Sequence, residues 1–235
     1  MNTETKKIPF EVYAELTPNP NSMKFVANVM LLEGGTVEYQ DKEEAVNCPV
    51  ALQLFDFSGV KKVFITSNFI TVTKETEMDW YDITNILREF IRGFLASGEK
   101  MFIGSPFDEN HVVKKAPSYA EELRRVNAVA AAGAVAAAGA EIAVGTVAAA
   151  VQINAIPDPE AEKKIIELLE EYVKPAVEGD GGAIHFQSYV NGVVNVVLKG
   201  SCSGCPSSTL TLKSGIENLL KRMVPGVKEV VAVEG

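Results

Sequence analysis

The chain has 235 residues, 47% hydrophobic and 23% charged, which is room for one large domain or two small ones with buried cores. Its formal net charge of −9 excludes a general nucleic-acid binder, which needs a basic face to neutralise phosphates. Three cysteines are too few, and odd in number, for a secreted disulfide framework, and the polar start Met1-Asn2-Thr3-Glu4-Thr5-Lys6-Lys7 runs into no apolar signal core. The expectation is a cytoplasmic, reducing location.

Residues 1–100 read as a small α+β unit. Phe10, Val12, Ala14 and Leu16 alternate with polar residues, the period of a strand. Thr17-Pro18-Asn19-Pro20-Asn21-Ser22 is a turn, and Met23 to Leu32 reads as a second strand ended by Gly34-Gly35. Asn47-Cys48-Pro49 opens a short buried helix, with Pro at its first position. Val60–Ile65 and Phe69–Thr73 are β-branched runs around Thr66-Ser67-Asn68, a hairpin. From Asp79 to Leu95, Trp80, Ile83, Ile86, Leu87, Phe90, Ile91 and Phe94 recur at helical spacing, and Gly98 marks the end. No histidine and no usefully spaced acid pair lies in this unit. Cys48 reads as a small buried hydrophobe, although a helix start also favours a thiolate.

Residues 101–156 form a linker. Val-Ala-Ala-Ala-Gly-Ala occurs in tandem at 129–134 and 135–140, and Gly133, Gly139 and Gly145 recur every six residues. The stretch is nearly long enough to span a bilayer. Its central Glu141 and its poverty in Leu, Ile and Phe argue against insertion, so a partly helical connector is the expectation.

Residues 157–235 read as α-β-β-α-β. Pro159 to Val173 carries helical apolar spacing, and Pro175 is expected to stop it. Ala183–Val190 and Val193–Leu198 flank Asn191-Gly192, a strong hairpin signal. His185 falls on the polar face of its strand and reads as an ordinary solvent-facing side chain. A helix from about Pro206 presents Leu212, Ile216, Leu219, Leu220 and Met223, Pro225-Gly226 ends it, and Val227 to Val233 supplies a last strand.

Between the second strand and this helix lies Gly200-Ser201-Cys202-Ser203-Gly204-Cys205-Pro206-Ser207-Ser208. The positive end of a helix favours thiolates, and the glycines let the backbone bend around sulfur. Three chemistries suit the pair. A thiol–disulfide oxidoreductase would use Cys202 and Cys205 alone, but its motif usually sits near the start of a βαβ unit. Structural zinc needs two more ligands. An iron–sulfur cluster also needs about four thiolates, which two chains would supply together.

Leu16-Thr17-Pro18-Asn19-Pro20-Asn21-Ser22-Met23-Lys24-Phe25, Leu54-Phe55, Gly59-Val60, Val63-Phe64 and Phe69-Ile70-Thr71-Val72-Thr73-Lys74 resemble the N-terminal domain of NifU-like (Nfu-type) iron–sulfur scaffold proteins. Asp180-Gly181-Gly182, Asn191-Gly192, the cysteine loop, Thr211-Leu212-Lys213 and Gly215-Ile216-Glu217 resemble that family's C-terminal domain, so most of 10–98 and nearly all of 160–235 is covered. The resemblance implies a carrier rather than an enzyme. It implies that Cys202 and Cys205 bind a [4Fe–4S] cluster, or a [2Fe–2S] one, as metal and cofactor ligands bridging a homodimer. The partners implied are the cluster-assembly machinery and apo iron–sulfur proteins. The Ala/Gly segment lies outside the family pattern, and Ala183 stands where acidic or polar residues are common.

Overall fold

A computed structural model describes residues 9–107, 158–203 and 206–234; the Ala/Gly repeats and Cys205 lie outside the described residues. The chain is α+β in two domains, each with its own sheet and core.

The first domain contains β1 (Val12–Leu16), β2 (Ser22–Ala27), β3 (Thr36–Tyr39), α1 (Pro49–Leu54), β4 (Val60–Thr66), β5 (Phe69–Lys74) and α2 (Trp80–Ser97). Its sheet is antiparallel, in the order β1-β2-β5-β4-β3. One face carries Met23, Phe25, Ala27, Val37, Tyr39, Val63, Ile65, Ile70 and Val72, packed on Leu87, Ile91 and Phe94 of α2 and on Val50, Ala51 and Leu54 of α1. The expected α2 forms as its pattern indicates. The Asp79 carboxylate accepts from the Tyr81 N–H at its start, and Gly98 ends it with a left-handed φ of 76°. Two expectations change here. The run from Met23 leaves the sheet at Ala27 rather than continuing to Leu32. The N–H groups of Leu31 and Leu32 instead donate to the Ser67 carbonyl, wrapping the chain over the β4–β5 turn. The unexpected β3 then closes the far edge of the sheet against β4.

The second domain contains α3 (Pro159–Leu168), a π-helical turn (Leu169–Val173), α4 (Lys174–Gly179), β6 (Gly182–Val190), β7 (Val193–Gly200), α5 (Pro206–Met223) and β8 (Glu229–Glu234). Pro175 does not stop the helix. The widened π turn precedes it, and Pro175 occupies the first turn of α4, where a missing N–H costs little. Asn191 and Gly192, at φ 53° and 90°, make the β6–β7 hairpin, as expected of Asn-Gly. β8 runs parallel to β7, with α5 as the crossover between them. Ile165, Leu168 and Val173 pack with Ile184, Val194, Val196, Leu198, Val230, Ile216 and Leu220 into the second core.

The outer face of the first sheet is polar, yet Lys24, Glu38, Thr66 and Thr71 are buried there beside Phe64 and Phe69. The second domain covers it. Ala183 at the start of β6 packs on Phe64 and Phe69, which gives the unusual alanine an apolar partner.

Candidate functional site

The site is the strand-to-helix loop that begins at Gly200. This residue has φ 67°, and a side chain there would come within 2.7 Å of the Gly181 carbonyl oxygen and 2.9 Å of Phe64 Cδ1. The loop turns back on itself. The Ser203 N–H and hydroxyl both donate to the Gly200 carbonyl, at 3.2 and 2.9 Å. The Ser201 N–H donates to the Gly181 carbonyl at 3.2 Å, and its hydroxyl to the Asp180 carbonyl at 2.5 Å. Strand β6 and the loop are thereby held side by side.

Cys202 lies between these anchors. Its sulfur packs on Gly182, where a Cβ would stand 2.8 Å from Sγ and 2.6 Å from the Lys199 carbonyl oxygen. Glycine is therefore the residue that leaves space for the thiol. The Ser201 hydroxyl is 3.8 Å from Sγ, and Cys202 joins the second core with 6% of its surface exposed. A soft sulfur donor with a neighbouring hydroxyl suits a thiophilic metal. Cys205 lies outside the described residues. Among the described residues, no three His, Cys, Asp or Glu side chains gather as a metal-binding set.

Two further sequence candidates are placed elsewhere. Cys48 is fully buried in the first core, at the start of α1, and burial pushes its thiol up to about 11. Its reading as a core residue holds, and the helix start does not make it a thiolate. His185 is not solvent-facing. Its Nε2 is 3.0 Å from Thr36 Oγ1 of the first domain. Burial, with Lys199 and Lys174 nearby, holds the imidazole below its ordinary pKa. The alternation holds as far as Phe186; an irregularity before Ser188 then brings Tyr189 onto the second core rather than the polar face, and at His185 the face assigned to water is covered by the other domain.

The residues that sequence reasoning missed belong to the first domain and meet the loop from outside. Asn19 Nδ2 donates to the carbonyls of Ser201 and Ser203, at 3.2 and 3.5 Å, on either side of Cys202. Its Oδ1 accepts from the Asn21 N–H, and Thr17 Oγ1 donates to the Asn19 carbonyl, so the Thr17–Asn21 turn presents this amide in one orientation. Thr71 Oγ1 donates to the Gly181 carbonyl at 2.7 Å, and Lys24 Nζ to the Gly179 carbonyl at 3.1 Å. Glu38 Oε1 accepts the Gly200 N–H at 3.1 Å, while Oε2 is buried without a hydrogen-bond partner. Burial pushes the Glu38 carboxyl up to about 7, against the opposing pull of Lys62 and Lys199. Asn19, Lys24 and Thr71 lie within the stretches that carry the family resemblance, which assigned them no role, and the signal for Glu38 was a polar alternation in Thr36-Val37-Glu38-Tyr39.

Residues 12–98 match the family described as scaffold protein Nfu/NifU N terminal, and residues 165–231 match the NifU-like domain. The chain is 34% identical over 218 residues to the human protein named NFU1 iron-sulfur cluster scaffold homolog, mitochondrial, covering 92% of this chain and 69% of that one. It is 31% identical over 223 residues to NifU-like protein 4, mitochondrial, of Arabidopsis thaliana, covering 93% and 64%. It thus spans about two thirds of the length of these relatives. Among solved structures, that of a NifU-like protein from Saccharomyces cerevisiae aligns over 45% of this chain and 92% of its own, at 22% identity and a TM-score of 0.37. With both matched regions in order and the human relative aligned across nearly the whole chain, this protein belongs to the Nfu/NifU scaffold family.

Proposed function

We propose that this protein is an iron–sulfur cluster scaffold and carrier. It takes the cluster as cargo on Cys202 and Cys205 and hands it to apo iron–sulfur proteins. The observation that carries the reading is the setting of Cys202, a thiol seated on Gly182 in the loop that ends β7 and leads into α5. Family membership and the names of the relatives support it. Two thiols per chain are half of the about four that a [4Fe–4S] cluster takes. Two chains therefore share one cluster, each contributing its cysteine loop. Residues 101–156 act as the connector between the domains. The role is binding and transfer, without turnover of a substrate, and its setting is the cytoplasm. The sulfurs act as anionic soft donors.

The test is anaerobic reconstitution with iron and sulfide. The expected product is brown, with about four irons per dimer, and is lost in Cys202→Ala and in Cys205→Ala. A colourless protein that binds one zinc per chain would overturn the reading. Cell fractionation tests the location.

A further inference from the structure

The first-domain sheet has two faces, and its own helices use only one. The other buries four polar side chains, Lys24, Glu38, Thr66 and Thr71, that an unpartnered antiparallel sheet would leave in water. Two residues of this face and one of the adjoining β1–β2 turn hold the cysteine loop and the start of β6. Asn19 holds the carbonyls on both sides of Cys202. Glu38 holds the Gly200 N–H, and Thr71 holds the Gly181 carbonyl. The fit is close. A Cβ at Gly181 would lie 3.1 Å from Thr71 Oγ1, 3.2 Å from Thr17 Cγ2 and 3.3 Å from Lys24 Cβ, all three in the first domain. Phe64, Phe69 and Ala183 add a small apolar seal.

With the domains so joined, Ser201, Cys202 and Ser203 are 1%, 6% and 5% exposed. Among the described residues of the loop, Ser201, Cys202 and Ser203 offer almost no surface to a second chain. We infer that the outer face of the N-terminal sheet is a docking surface for this chain's own cysteine loop, and that the domains must part before two chains can share a cluster. The docked chain is thus a closed, unloaded form. The second half of this inference rests on the cluster-carrier reading. The docking itself does not.

The contact is separable because each domain has its own core, and Lys24, Glu38, Thr71, Phe64, Phe69 and Ala183 belong to neither. Thr71→Arg places a bulky cation where a 2.7 Å hydrogen bond now lies, and Ala183→Asp places a carboxylate against Phe64 and Phe69 from the other side. Both side chains are readily solvated once the domains part. The readout is amide hydrogen exchange in the full-length apo chain. The Gly200 N–H is the reporter, because its acceptor is the first domain's Glu38. The expected result is about tenfold faster exchange at Gly200 in both variants, with the amides of Phe25, Ile70 and Val196 protected as in wild type. Unchanged exchange at Gly200 in both variants, with intact cores, would overturn docking. So would acceleration that comes in both variants only together with loss of core protection, since the interface would then not open independently. Loading with iron and sulfide is followed in parallel, and the opened variants are expected to take up iron faster than wild type. Equal loading rates despite faster Gly200 exchange would overturn the gating half. If neither wild type nor variants take up iron, the carrier reading fails while docking is still decided by exchange alone.

Discussion

Replacing Glu38 by glutamine tests the electrostatics of the interface. One oxygen of Glu38 accepts the Gly200 N–H at 3.1 Å, and the other is buried without a partner. Burial raises the carboxyl from the usual 4.5 to about 7. Lys62 on β4 and Lys199 on β7 favour the charged form, and Glu44 before α1 disfavours it. The folded protein therefore prefers Glu38 neutral, and holds its proton at pH values where the unfolded chain has released it. Stability from this site is complete below pH 4.5, falls as pH rises towards about 7, and is level above that. The full interval corresponds to about 3 kcal/mol. About 2 kcal/mol of it falls between pH 5.5 and 8. Glu38→Gln keeps the acceptor for Gly200 but cannot ionise. It adds an amide N–H₂ in place of the unpartnered oxygen, at a pH-independent cost of about 1–3 kcal/mol. Urea unfolding of both proteins at a series of pH values separates the two effects. The stability of the variant relative to wild type is expected to improve by about 2 kcal/mol from pH 5.5 to 8. A difference that is constant with pH, or one that moves against the variant as pH rises, would refute the reasoning.

Three other outcomes are expected. Gly182→Ala brings a methyl within 2.6 Å of the Lys199 carbonyl and 2.8 Å of Cys202 Sγ, so it should destabilise the second domain by about 1–3 kcal/mol and lower iron uptake, read by urea midpoint and iron content. Asn19→Ala removes donors from the Ser201 and Ser203 carbonyls and should weaken docking by about 1 kcal/mol, seen as roughly fivefold faster exchange at Gly200. Cys48, buried and with its thiol pushed up to about 11, should resist iodoacetamide at pH 8 until urea unfolds the first domain, and Cys48→Ala should leave iron uptake unchanged, as mass spectrometry and iron analysis will show.

Much of the fold was legible because local chemistry dictates it. Asn191-Gly192 carries the hairpin in its positive φ angles, Asp79 and Gly98 bound α2, and the Cys-x-x-Cys stands between a strand and a helix as its glycines suggest. Cys202 could be singled out because two thiols at that spacing are rare. The misreadings share another cause. His185 was assigned to water by alternation, a rule that treats a sheet as having one covered face. Here the second face is covered by residues more than a hundred positions away in sequence. Glu38 was missed with β3, a strand of four residues too short to stand out by periodicity. Pro175 was read as a stop because the π turn that accommodates it has no local signature.

The first domain grips the loop region by its main chain. Asn19, Lys24, Thr71 and Glu38 bind the carbonyls of Ser201, Ser203, Gly179 and Gly181 and the N–H of Gly200. Recognition of this kind does not depend on which side chains the loop bears, as long as its backbone path and glycines are kept. The path itself rests on the Ser201 and Ser203 hydroxyls, which donate to the Asp180 and Gly200 carbonyls, so these two serines belong to the lock although the first domain touches only their main chain. A foreign loop of the same path, grafted between β7 and α5, would be received by the same surface.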